Sequence, residues 1–127
     1  MTPPRYPEQP NPKMGEIWWI ALDPTIGSEI KKTRPCLVIQ TNALHSLPTR
    51  IVVPLTGWKK KHEERPWSVL IEATAHNGLQ KESAADALQI RAVALERFRS
   101  RLGTVSPITL EKVQAAVALC LDMQIQG

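Results

Sequence analysis

Residues 16–22 alternate, with Trp18, Ile20 and Leu22 on one side and Ile17, Trp19 and Ala21 on the other, before Asp23-Pro24-Thr25 ends the run. A strand sends successive side chains to opposite faces, so this period of two predicts a β-strand closed by turn chemistry. Similar short runs follow at 34–41, 51–56, 67–73 and 84–90, with a brief one at 103–105. Strands this short and this regularly spaced constrain the chain to a mainly β architecture, a small closed or half-closed barrel.

Two helices are expected beside the strands. Leu95, Phe98 and Leu102 fall at i, i+3 and i+7 ahead of Gly103, which predicts a short helix over 95–102. A second is predicted over 107–124: Ser106 can cap it, Pro107 suits its first position, and Glu111 suits the positive end of its dipole. Its stripe of Leu110, Val113, Val117, Cys120, Leu121 and Gln124 would face the barrel or a second subunit.

At 127 residues the chain has the size of one domain, expected over 14–127. Residues 1–13 hold five prolines and predict an extended, poorly ordered leader. Cys36 and Cys120 lie far apart in apolar patterns, which predicts buried free thiols in a reducing cytoplasm. No run of 18 apolar residues and no secretory pattern occurs. Sixteen Lys+Arg against twelve Asp+Glu leave a net charge of +4, a mild excess that suits a polyanion or an acidic protein partner. His45, His62 and His76 sit in polar contexts without ligand spacing, so neither a metal nor another cofactor is expected. The absence of a Gly-rich phosphate loop and of a Gly-x-Ser-x-Gly elbow argues against a nucleotidase or an ester hydrolase.

The chemistry concentrates in Gly27-Ser28-Glu29-Ile30-Lys31-Lys32-Thr33-Arg34-Pro35, just ahead of the apolar Cys36-Leu37-Val38-Ile39. A turn presents the Glu29 carboxylate, and Arg34 is kept extended by Pro35 at the mouth of a strand. Such a pair can serve phosphoryl chemistry, one group as proton acceptor and the other as anion clamp. On spacing alone, a surface ion pair beside a hairpin is the commoner arrangement. Thr56 ends the Val-rich strand with a hydroxyl able to bond a phosphate oxygen. Residues 57–67 then mix Lys59, Lys60 and Lys61 with Trp58 and Trp67, the cationic and stacking ingredients of single-stranded RNA binding. Trp67 fits better as a packed residue, whereas Trp58, Lys59 and Lys60 are candidate RNA contacts. Arg97, Arg99 and Arg101, with Arg91, read first as a solvated basic face.

The blocks 15–25, 27–29 and 32–35 closely resemble the opening of the MazF/PemK family, toxin endoribonucleases of bacterial type II toxin–antitoxin pairs. The likeness continues through 51–56, 87–91 and 103–106, and so covers about 14–124. It implies an SH3-like barrel with a C-terminal helix, and a homodimer whose groove binds RNA and is blocked by the acidic tail of a cognate antitoxin. It also implies that Arg34 and Glu29 are catalytic and that Thr56 belongs to the same set. Ser28, Lys32, Gln89 and Arg91 would join Trp58, Lys59 and Lys60 in holding RNA. The implied reaction is metal-independent: the ribose 2′-hydroxyl attacks phosphorus and leaves a 2′,3′-cyclic phosphate and a 5′-hydroxyl. One departure stands out. Some family members place a catalytic aspartate directly before the glutamine, where this chain has Leu88, and Asp86 lies two residues earlier. Two alternatives therefore stay open, a gyrase-type poison of the same fold and a catalytically inactive RNA- or antitoxin-binding module. The gyrase poison relies on a C-terminal tryptophan, and residues 123–127 contain none.

Overall fold

The computed structural model describes residues 10–124. Its strands in chain order are β1 (Glu16–Ala21), β2 (Thr33–Val38), β3 (Thr49–Gly57), β4 (Ser68–Ile71), β5 (Ser83–Asp86), β6 (Arg91–Ala94) and β7 (Phe98–Thr104), followed by helix α1 (Pro107–Cys120).

β3 is the spine of an antiparallel sheet. β2 runs along one side of it, from Cys36↔Pro54 to Val38↔Val52. The other side is shared, with β6 opposite Thr49 to Val52 and β5 opposite Leu55 to Gly57. Pro54 has no N–H to donate and falls between those two ladders, where a missing donor costs least. Beyond the spine the order runs through β2 and β1 to β7 in one direction and through β5 to β4 in the other.

Both faces of the central strands are buried. Cys36 and Val38 join Ile20, Leu22, Val52, Val93, Leu95 and Phe98 in one apolar cluster. Leu37 joins Ile17, Val53, Leu55, Ile71, Leu79, Ala85, Val105 and Val113 in the other. Double burial explains why β2 and β3 read as continuous apolar runs, as buried parallel strands do, rather than alternating ones. Trp18 packs edge-on against Phe98, with ring centroids 5.6 Å apart.

Three expectations need correction. No α-helix forms over 95–102: a single 3-10 turn, Leu95–Arg97, leads into β7, which pairs with β1 from Glu16↔Thr104 to Ile20↔Phe98. Phe98 and Leu102 also satisfy a period of two, with Arg99 and Arg101 pointing outward between them, and so short a window cannot separate the two periods. The run at 84–90 is likewise divided, into β5 and the 3-10 turn Ala87–Gln89, before the unforeseen β6. The last helix stops at Cys120 rather than 124. Its buried positions are Val113 and Ala116, with Leu110, Val117 and Cys120 half-buried, whereas Leu121 is 58% exposed and Gln124 is also exposed. The helix start is as expected: Ser106 Oγ accepts the Thr109 N–H at 3.2 Å, and Pro107 opens the first turn.

β4 and β7 end the strand order, and no ladder joins them among the described residues. Residues 74–78 lie between them instead, where Thr104 N donates to His76 O at 2.8 Å. The backbones touch there, since a Cβ on Gly78 would overlap the Leu102 carbonyl and one on Gly103 would overlap His76 O.

Of the expected leader, residues 1–9 lie outside the described residues. Its last part is docked by Arg50, which is only 2% exposed. That guanidinium donates to the carbonyls of Pro12, His45, Leu47 and Thr49 and to Asn11 Oδ1. Among the described residues no helix is long and apolar enough to cross a membrane.

Candidate active site

Strands from across the sheet meet around a cavity of about 370 Å³. β1 contributes Trp19, β2 contributes Thr33 to Pro35, β3 contributes Leu55 to Gly57, and the approach to β5 contributes Gln80 and Lys81. Register explains the meeting. Continuing the Cys36↔Pro54 alignment by two residues sets Arg34 opposite Thr56, and Thr56 is in turn opposite Ala84. Arg34 is half-buried, and its Nε donates to Lys31 O at 3.3 Å. Both of its Nη groups lack a partner among the described residues, which leaves the guanidinium edge available to an anion. A larger hollow of about 920 Å³, bounded by β4, the 74–77 loop and the first turns of α1, contains none of the sequence-predicted site residues.

Glu29 is not among the residues lining the Arg34–Thr56 cavity. Its Oε1 accepts the Ile26 N–H at 2.7 Å and closes the turn around Gly27, whose φ of +61° suits glycine. The rest of this loop is held in the same manner. Asp23 Oδ2 accepts the Lys32 N–H at 3.0 Å, and Lys32 itself takes a left-handed φ of 72°. Gln89 latches the loop from outside: Oε1 accepts the Ile30 N–H at 3.1 Å, and Nε2 donates to Ser28 O at 3.5 Å. Gln89 and Ser28 are thus tied to each other, and the Lys32 side chain is exposed.

The basic loop is partly ordered from within. His62 is buried and its Nδ1 accepts the Lys59 N–H at 2.8 Å, so this histidine is a loop staple rather than a solvated residue. The Trp58 ring lies tilted over the His62 ring, with centroids 5.3 Å apart, while Lys59 and Lys60 are exposed. Trp67 is half-buried with the Arg65 guanidinium 5.9 Å from its ring centroid. Arg91 turns inward, donating to Leu22 O at 3.4 Å. Of the other arginines expected on a solvated face, Arg97 is half-buried and donates to Ala21 O and Asp23 O, whereas Arg99 and Arg101 are exposed, Arg99 donating to Glu96 O and Arg101 pairing with Glu16 at 2.7 Å. Asp86 Oδ1 accepts the Leu88 N–H at 3.1 Å and caps the 3-10 turn, away from the cavity lining.

Burial pushes the Cys36 thiol up to about 12, against a smaller opposing effect of the nearby Arg91 charge. Cys120 is only half-buried, contrary to expectation. Among the described residues no group of three or more His, Cys, Asp or Glu could hold a metal. Lys81, Gln80 and Trp19 are among the cavity residues that sequence reasoning missed. Lys81-Glu82-Ser83 reads in sequence as an ordinary charged turn, and only the β3–β5 ladder brings it beside Gly57.

Residues 13–121 match the profile of the PemK-like, MazF-like toxin of type II toxin–antitoxin systems. The chain is 38% identical over 117 residues to endoribonuclease MazF9 of Mycobacterium tuberculosis, covering 87% of this chain and 97% of that protein. Its fold is similar to that of MazF from Deinococcus radiodurans, with a TM-score of 0.75 at 23% identity over 88% of this chain and 97% of that one. It is also similar to a mycobacterial endoribonuclease solved in complex with its cognate antitoxin, with a TM-score of 0.70 at 21% identity over 91% and 99% of the two chains. With the sequence match spanning nearly every element from β1 to α1, the chain belongs to the MazF/PemK family of type II toxin–antitoxin toxins.

Proposed function

We propose that this MazF-type endoribonuclease cuts single-stranded RNA at the Arg34–Thr56 cavity. The observation that carries the assignment is the convergence of a half-free guanidinium and a hydroxyl, from two strands, on one hollow. The ribose 2′-oxygen attacks the adjacent phosphorus, the P–O5′ bond breaks, and the products are a 2′,3′-cyclic phosphate and a 5′-hydroxyl. The nucleophile is part of the substrate, so no metal-activated water is needed. Arg34 clamps the non-bridging oxygens as negative charge builds, and Thr56 donates a further hydrogen bond. Glu29 lies outside the cavity lining, so its Oε2 takes the 2′-proton through one bridging water while Oε1 stays on the loop backbone, and the departing 5′-oxygen takes a proton from water.

Trp58, Lys59 and Lys60 lead the strand toward the cavity by stacking and phosphate contact. Ser28, Lys32, Gln89 and Arg91 set the shape of the loop against which the RNA lies. The sheet curls into an SH3-like small β-barrel with α1 as its C-terminal helix. Exposed Ile108 and Leu119 on α1, with Leu121 just past its end, support a homodimer, and an acidic antitoxin tail suits the same positively lined cavity. A toxin of this kind works in the cytoplasm, where its RNA substrate is.

Purified protein incubated with mixed-sequence RNA and EDTA should yield fragments whose 5′ ends accept phosphate from polynucleotide kinase without prior dephosphorylation. Intact RNA overturns the reading, and intact RNA together with inhibited topoisomerase supports the gyrase-poison alternative.

A further inference from the structure

The cavity contains a second cation besides Arg34. Lys81 lines it together with Arg34 and Thr56. Its backbone is fixed on both sides. Ser83 Oγ donates to Lys81 O at 3.1 Å, Ser83 itself is buried opposite Gly57, and Trp58 N donates to Glu82 O at 3.0 Å. From that fixed point the side chain runs across Gly57. A methyl group at Gly57 would stand 3.1 Å from Lys81 Nζ and 3.3 Å from Cε, close enough to push the side chain aside by a few tenths of an ångström, so the ammonium lies along the bare glycine. Gly57 does not take a positive φ, so conformation alone does not require glycine there. Among the described residues the ammonium has no carboxylate partner.

We propose that Lys81 is a second phosphate-binding cation of the cleavage site, contacting the scissile phosphate from the β5 side while Arg34 contacts it from β2. The inference rests on the reading that RNA is cut in this cavity. The chemistry supplies the reason for two cations. Attack by the 2′-oxygen turns a singly charged phosphodiester into a species with charge on two non-bridging oxygens and growing charge on the 5′-oxygen. One planar fork covers one edge of that group. A compact ammonium on a flexible stem can follow the remaining charge as it grows. Lys81 contributes charge alone in this scheme and transfers no proton.

Lys81→Met keeps the hydrocarbon stem over Gly57 and removes the charge. The expected result is an unchanged melting temperature, a fall of about 10²-fold in single-turnover cleavage, and a decrease of roughly 0.7 in the slope of log binding constant against log salt. Lys81→Arg should recover the greater part of the rate. Gly57→Ala should slow the parent by displacing the ammonium, yet slow the Lys81→Met protein no further, since the group being displaced is gone. Arg34→Ala run in parallel separates the role of Lys81 from that of the cavity as a whole. If Arg34→Ala abolishes cleavage while Lys81→Met cuts within about three-fold of the parent, Lys81 is not a phosphate contact and the cavity assignment stands. If neither change alters cleavage, the cavity assignment itself fails. A full effect of the Gly57 methyl in the Lys81→Met background overturns the positioning of Lys81 by Gly57.

Discussion

Arg34 and Glu29 were paired by sequence, but their surroundings differ, and different variants test them. Arg34 borders the cavity with one hydrogen bond to Lys31 O and no buried partner, so its removal should leave folding nearly untouched. Arg34→Ala should lower cleavage by about 10²–10³-fold at unchanged melting temperature. Arg34→Lys should also lose heavily, because a point charge cannot reproduce the two-pronged contact. Cleavage within a few-fold of the parent in Arg34→Ala removes Arg34 from the catalytic set, and the same result in Arg34→Lys alone means that charge suffices without the two-pronged contact. Glu29 has a loop bond that must be separated from any proton transfer. Gln at this position can still accept the Ile26 N–H through Oε1, so Glu29→Gln should bind RNA normally and cut slowly. Glu29→Ala also frees the turn and should lose binding and cleavage together. Full activity in Glu29→Gln would leave charge and positioning by Arg34 and Thr56 as the whole of catalysis.

At the scale of elements, α1 shows how packing selects among residues of similar hydropathy. Val113 is fully buried in the same cluster as Ile17, Leu37 and Val53, whereas Val117, one turn further on, is packed against that cluster but remains partly open. An aspartate at 113 would be an unpaired buried charge and should cost several kcal/mol, enough to unfold a marginal domain. Val117→Asp can turn toward solvent and should cost less. Urea unfolding of both proteins checks the ranking, and equal midpoints would mean that the helix faces are misassigned. Leu119 and Leu121 are more than half exposed, so Asp at either position should spare the monomer's fold and weaken a dimer built on α1. Sedimentation of these two variants reports on that interface alone.

For the whole molecule, the buried thiol at the centre of the sheet links stability to alkaline pH. The Cys36 thiol has an ordinary value of 9.0 in the unfolded chain and is pushed up to about 12 in the fold by burial. The folded state therefore holds its proton where the unfolded chain has lost it. Stability from this group is intact below pH 9 and falls by about 1.4 kcal/mol per pH unit from there to pH 12. Comparing the pH dependence of urea midpoints for the parent and Cys36→Ala isolates the effect from other alkaline titrations. Parallel curves between pH 8 and 11 would mean that Cys36 is solvated in the native protein. Native Cys36 should also resist alkylation at pH 8 while Cys120 reacts faster, because only the thiolate is a nucleophile and Cys36 is both buried and protonated.

The mainly β character, the two faces of β1, the start of α1 at Ser106-Pro107 and the Arg34-Pro35 strand mouth were all legible in the sequence. Each is local: a period of two, a capping hydroxyl or a fixed proline φ acts within a few residues and needs no distant partner. The short β7 stretch was misread as a helix because Phe98 and Leu102 fit both periods, and only pairing with β1 settles the choice. β6 was missed because Arg91–Ala94 is only four residues long, with Val93 its one β-branched side chain, and becomes a strand by completing the open side of β3. The site divides in the same way. Arg34, Glu29 and Thr56 carried the chemistry in their residue types, whereas the distinction between a cavity-lining Arg34 and a loop-closing Glu29 depends on where each side chain finds its partner. Lys81 gave no signal at all in sequence. It enters the site because the β3–β5 ladder brings residues 57 and 83 together across a chain separation that no local rule can span.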